Sequence, residues 1–132
     1  MVEHCTGPLG VGTVVVKPLR HCLHFWELHP AESAELGALL QEVAEVIQSL
    51  LAPDQVYVCL WSHGSWQPQH LHFVMQPVRQ HLRERFAKPE PHLQAAMFAS
   101  GDMPERRTVE AFCEQARRLM HQGTLRSVSE TP

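Results

Sequence analysis

From Pro30 to Leu51 the apolar residues Leu36, Leu39, Leu40, Val43, Val46, Ile47 and Leu50 recur at intervals of three and four, with Glu32, Glu35, Glu42 and Glu45 between them. That stripe predicts an amphipathic helix, with Pro30 in its first turn and carboxylates toward the N-terminal end, where the helix dipole favours them. Upstream, "VGTVVVKP" is a β-branched run closed by Pro18, which predicts a buried strand over Thr13 to Lys17. Downstream, Ala52-Pro53-Asp54 breaks the helix and "QVYVCLW" predicts a second strand. A loop, "SHGSWQP", then leads to a third run, "HLHFVM", and two strands so close in sequence predict an antiparallel hairpin. After Pro77 the pattern turns helical over Val78 to Phe86, His92 to Ala99 and Glu105 to about His121, the last burying Val109, Phe112, Ala116 and Leu119. The final "GTLRSVSETP" has no helical stripe, which predicts a mobile tail over 123–132 after a single domain at 1–122. The fold class implied is α+β, an antiparallel sheet of about five strands with the long helix packed on one face.

Composition narrows the function classes. With 132 residues of which 44% are hydrophobic, the chain can bury one ordinary core. A formal net charge of -3 gives no basic footprint for nucleic acid or an anionic membrane surface, so neither is an expected partner. Cys5, Cys22, Cys59 and Cys113 are widely spaced with no C-x-x-C pair, which argues against a zinc ribbon or a disulfide scaffold and fits free thiols in the cytoplasm. No apolar run approaches the roughly 20 residues of a spanning helix, and Met1-Val2-Glu3-His4 is not a cationic signal start.

The chemistry concentrates in "QPQHLHFVMQP". On a strand, His70, His72 and Val74 share one face while Leu71, Phe73 and Met75 share the other. One histidine in an apolar strand is ordinarily a core residue with satisfied ring nitrogens. Two on one face each need a partner once buried and repel if both are charged, which points toward a site. A strand H-x-H can also present two imidazoles to a metal, with His63 or a cysteine as further ligand, but no third ligand stands at a diagnostic spacing. No metal or other cofactor is therefore expected.

The block "GVGTVVVKPLRHCLHFWELHPAESAELGALLQEVAEVI" resembles the first half of the histidine triad (HIT) domain, with its strand-ending V-x-[KP]-x-R-H turn and long acidic helix. The second half follows in order. "VYVCLWSHG" resembles that family's strand ending in an Asn-x-Gly turn, and "HLHF" followed by Gln76-Pro77 resembles its H-φ-H-φ-H-φ-φ signature with a trailing proline. The resemblance covers about Gly10 to Val78 and is to a divergent bacterial member with an incomplete triad. Read without gaps, His70 takes the first triad position and His72 the middle one, with Val74 in place of the third histidine. A shifted register puts Pro68 first and makes His70 the middle member. Ser62 stands in place of the asparagine, and Gly64 matches the glycine.

The resemblance implies a nucleotide hydrolase or nucleotidyl transferase whose middle histidine attacks the α-phosphate of an AMP or GMP ester, phosphoramidate or dinucleoside polyphosphate, and it implies a homodimer. The ungapped register, anchored on Pro77, gives His72 as nucleophile and His70 as its support. An attacking imidazole held with Nδ1-H on a backbone carbonyl leaves Nε2 aimed at phosphorus, a role a rigid strand suits. His21, Ser62, His63 and Gly64 are the corresponding phosphate-binding candidates, and His63 is otherwise a solvated loop residue. Restoring a histidine at Val74 should, on this reading, raise activity. The alternative is a catalytically weak nucleotide-binding or regulatory protein of the same fold. Trp26, Trp61 and Trp66 read mostly as core or interface residues, and Arg106-Arg107 and Arg117-Arg118 as an exposed polar face.

Overall fold

The structure is a computed structural model that describes residues 1–64 and 67–129, with side chains described for 1–61 and 69–122. Its sheet comprises β1 (Val2–His4), β2 (Val14–Val16), β3 (Gln55–Gly64) and β4 (Gln67–Val78) in the order β1-β2-β4-β3, every pairing antiparallel. The described residues thus form four strands where about five were expected. Three helix-forming patterns became α1 (Pro30–Leu51), α2 (Gln80–Phe86) and α3 (Glu90–Ser100), and the last helix is α4 (Arg106–Ser129).

The bounds of α1 coincide with those its stripe predicts, because both ends carry strong local signals. Glu32 Oε2 accepts the His29 backbone N–H at 2.8 Å, an N-terminal cap. Ala52 takes the left-handed conformation at the other end, with Pro53 unable to continue the helix. Val43, Val46 and Ile47 are buried, and Leu36, Leu39, Leu40 and Leu50 pack around the same cluster with Val14, Val16, Met75 and Phe112. One face of the sheet is therefore covered by α1 and α4.

The register fixes what the other face carries. Val14 lies opposite Met75, Val15 opposite Val74 and Val16 opposite Phe73, so the alternation sends Val74 and Val78 away from α1. There they join Leu9, Leu93 and Met97, with Tyr57, Leu82 and Phe86 around them. Gly12 makes the turn into β2 possible. Its φ is +85°, and a Cβ there would stand 2.3 Å from Leu51 Cδ1.

Two predicted boundaries move by several residues. The loop expected at Ser62 to Pro68 is largely strand, since β3 runs to Gly64 and β4 resumes at Gln67, with His63 opposite Pro68 and Gly64 opposite Gln67. Pairing across the hairpin outweighs the polar, turn-prone composition. The final helix also continues to Ser129, beyond the end near His121 where its apolar stripe fades. On its earlier turns Phe112 is buried, while Val109, Ala116 and Leu119, also expected to be buried, are half-buried. Arg106 and Arg118 form exposed ion pairs with Glu110 and Glu114, one turn along the helix. No helix among the described residues is long and apolar enough to cross a membrane.

Candidate active site

The site forms just beyond β2, where the chain passes Pro18 and crosses the first half of β4. Leu71 N–H donates to the Cys22 carbonyl at 2.7 Å, which ties this crossing segment to the histidine strand. Glu27 shapes the segment from within. Its Oε2 accepts the backbone N–H groups of Leu23 (2.9 Å) and His24 (3.2 Å), and the buried Cys22 thiol points at it from 3.6 Å. Those two backbone donors hold the Glu27 carboxyl below the usual carboxylate range. Arg20 braces the outside, with Nε and Nη2 donating to Glu32 at 3.1 and 2.9 Å and Nη2 also donating to the Glu27 carbonyl. This fork holds Glu32 low and Arg20 high, each through its hydrogen bonds to the other.

Three histidines meet there. His70 Nε2 lies 3.1 Å from the Pro18 carbonyl, and its Nδ1 lies 3.3 Å from His21 Nδ1. A carbonyl only accepts, so His70 carries its proton on Nε2 and accepts at Nδ1 from His21 Nδ1–H. The rings lie 5.4 Å apart, tilted by 35°. His72 Nδ1 lies 2.9 Å from the His70 carbonyl, so Nδ1–H donates there and Nε2 keeps its lone pair. The tautomer and ring orientation suit attack through Nε2.

Beside these rings lies an open cleft of about 510 Å³, lined by His70 and His72 together with Glu3, His4, Cys5 and Lys17 among others. Trp61 on β3 is the cross-strand partner of His72. Neither Trp61 nor Trp26 is a core residue: they are 40% and 79% exposed, and Trp26 stacks on the His24 ring at 4.4 Å. The structure thus brings His21, His70 and His72 together. Ser62, His63 and Gly64 end β3, but their side chains lie outside the described residues, as does Trp66. Val74 does not reach the cleft. It is 4% exposed and packed with Leu9, Val78, Leu93 and Met97, because α3 covers this stretch of the strand.

Sequence reasoning missed His4. Its Nδ1–H donates to the Cys5 carbonyl at 2.7 Å and its Nε2 accepts the Gly12 N–H at 3.0 Å, which joins β1 to the turn before β2. Burial pushes its imidazole below the usual histidine range, against the opposing pull of the Cys5 carbonyl. Nothing local in V-E-H marks that role. Glu27 was legible in principle, standing three residues after His24 as the acid of a capping box does. No group of three or more histidine, cysteine or acidic residues suited to hold a metal ion occurs among the described residues.

No family model matches the chain, and no curated protein matches it. Among solved structures, it is similar to a hypothetical histidine triad nucleotide-binding protein from Sulfolobus tokodaii strain 7, at a TM-score of 0.66 and 17% identity, over 92% of this chain and 77% of that one. The fold is HIT-like. That likeness accounts for the architecture, and the chemistry of the cleft rests on the geometry above.

Proposed function

We propose that the histidine cleft binds the α-phosphate of a nucleotide derivative and that His72 transfers it. The carrying observation is the His72 ring, whose Nδ1–H is committed to the His70 carbonyl at 2.9 Å and whose Nε2 is left as the nucleophile. In the first step the Nε2 lone pair forms a bond to phosphorus, and the bond to the leaving group breaks with its electron pair. Water then attacks phosphorus, the P–N bond breaks, and a nucleoside monophosphate leaves with the ring returned to its starting tautomer. His21 and His70 form a hydrogen-bonded chain that ends on the Pro18 carbonyl and fixes the strand whose His70 carbonyl orients His72, and the phosphate-binding roles of Ser62, His63 and Gly64 belong to the same proposal. The nucleotide-binding designation of the Sulfolobus tokodaii neighbour agrees with this reading.

A second reading, a nucleotide-binding protein with weak turnover, is favoured by position 74, a valine buried away from the cleft where the resemblance expects a third imidazole. Incubation with a labelled adenosine 5'-phosphoramidate or diadenosine polyphosphate separates the two. An acid-labile protein adduct that His72→Ala abolishes and His70→Ala only weakens supports the transfer reaction. Nucleotide binding without adduct or product supports the second reading, and indifference of both binding and hydrolysis to both alanines removes the site from this strand. A homodimer with the sheet continued across a two-fold axis completes the proposal. The outer edge of β3 and its exposed Val58 and Leu60 support it, and a stable 15 kDa monomer at micromolar concentration would contradict it. A cytoplasmic location fits the four free thiols.

A further inference from the structure

The histidine cleft contains an ion pair that the phosphoryl chemistry does not use. Lys17 Nζ lies 2.5 Å from Glu3 Oε1, the two side chains being 25% and 47% exposed, and both line the cleft together with His72. The sheet register explains why they meet there. Val15 is opposite Glu3 on one side and Val74 on the other, so the alternation places Glu3, Lys17 and His72 on a common face. One step beyond the last paired residues, Val16 and Phe73, Lys17 falls beside His72. Neighbouring strands are about 4.8 Å apart, well within the reach of a lysine side chain.

Resting on the reading of this cleft as a nucleotide site, we propose that Lys17 is its specificity-determining cation, selecting ligands that carry a second anionic group beyond the phosphate at His72. Lys17 is the only lysine or arginine side chain lining the cleft among the described residues. Because Lys17 and His72 line the same cleft from neighbouring strands, a ligand with its phosphate at His72 can bring a further anionic group to the ammonium, and a ligand whose departing group is neutral gains nothing from it. Glu3 opposes the same anion and holds Lys17 in the free protein. A partly exposed pair is weakly held, so an incoming phosphate exchanges for the carboxylate at little cost. Loss of either partner would have the same sign if the pair only braced β1 against β2. Its role as a selector requires opposite signs.

The test is calorimetric titration of the full chain with AMP and with ADP, without added metal and at low salt. Wild type should bind ADP more tightly than AMP. Lys17→Met should erase that preference through a loss of about tenfold for ADP, the scale of one hydrogen bond from a charged donor. Lys17→Arg should retain it, and Glu3→Gln should strengthen ADP binding several-fold. An unchanged ADP-to-AMP ratio in Lys17→Met, with both nucleotides still bound, overturns the role of Lys17 and leaves the reading of the cleft intact. Absence of nucleotide binding in wild type overturns both. Where Lys17→Met does not fold, Glu3→Gln decides the matter alone, since weaker or unchanged ADP binding contradicts the proposal.

Discussion

Replacing Val74 by histidine restores the missing third imidazole in sequence, yet the structure opposes the gain expected from sequence. The side chain is 4% exposed and enclosed by Leu9, Val78, Leu93 and Met97. A histidine there enlarges a packed position, which costs about 1–3 kcal/mol, and buries ring nitrogens among aliphatic neighbours, which costs about another 1–3 kcal/mol. The expected loss is therefore about 2–6 kcal/mol. Urea unfolding at pH 8, where an added imidazole is neutral, measures it directly, and turnover of a labelled nucleotide substrate should not rise. Val74→Ala provides the comparison, because it removes two methyl groups and leaves a cavity, at about 1–3 kcal/mol. A Val74→His protein as stable as wild type and more active would refute the reasoning, since the side chain at 74 would then open into the cleft.

Other perturbations probe the frame around the site. Gly12→Ala meets Leu51 Cδ1 at 2.3 Å and carries a φ of +85°, so it should cost about 2–4 kcal/mol in urea unfolding. His4 makes stability pH-dependent: its folded-state affinity for protons is depressed, mainly by burial, so the unfolded chain takes up the proton first. No stability is lost above about pH 7, and it should fall as pH drops through about 6.5 toward the lower folded-state value, with the urea midpoint less pH-dependent in His4→Gln. Glu27→Ala removes the acceptor for Leu23 and His24, and amide exchange over 20–28 should accelerate while α1 stays protected. The depressed Glu27 pKa adds a second sign: its contribution is present above about pH 4.5 and is lost as pH falls through the folded value.

Much of this architecture is legible because its signals are local. The α1 stripe repeats over 22 residues with a capped start and a proline after its end, so chain sequence alone places it. The hairpin of β3 and β4 follows from two apolar runs with a short connection. β1 is different, a strand of 3 residues with no alternation long enough to read, whose existence depends on pairing with β2. Likewise, period-2 reasoning put His70, His72 and Val74 on one face correctly but gave no information on depth along the strand. α3 covers Val74 and leaves His70 and His72 at the cleft, a distinction made by tertiary packing. The contact of His21 with His70 spans 49 positions, and only the resemblance pointed to it.

The strand that carries the site continues into an interior that is imperfectly satisfied. Gln76 is fully buried, and its Nε2 donates to the Leu9 carbonyl at 3.3 Å and toward Met97 Sδ at 3.1 Å, while its Oε1 has no hydrogen-bond partner among the described residues. Burying an amide with its oxygen unpaired costs about 1–3 kcal/mol. The donor side adds little, because Thr13 Oγ1 already donates to the Leu9 carbonyl at 2.8 Å. Gln76→Met keeps the volume, removes the orphaned oxygen and leaves Leu9 satisfied, so it should raise stability by about 1 kcal/mol. Gln94, 2% exposed with its own Oε1 unpartnered, gives an independent copy of the test on α3. Urea midpoints of the two methionine variants decide it. A loss above about 1 kcal/mol in Gln76→Met would mean that the amide is needed where it stands and that the histidine strand is held in place by a polar contact, not by packing alone.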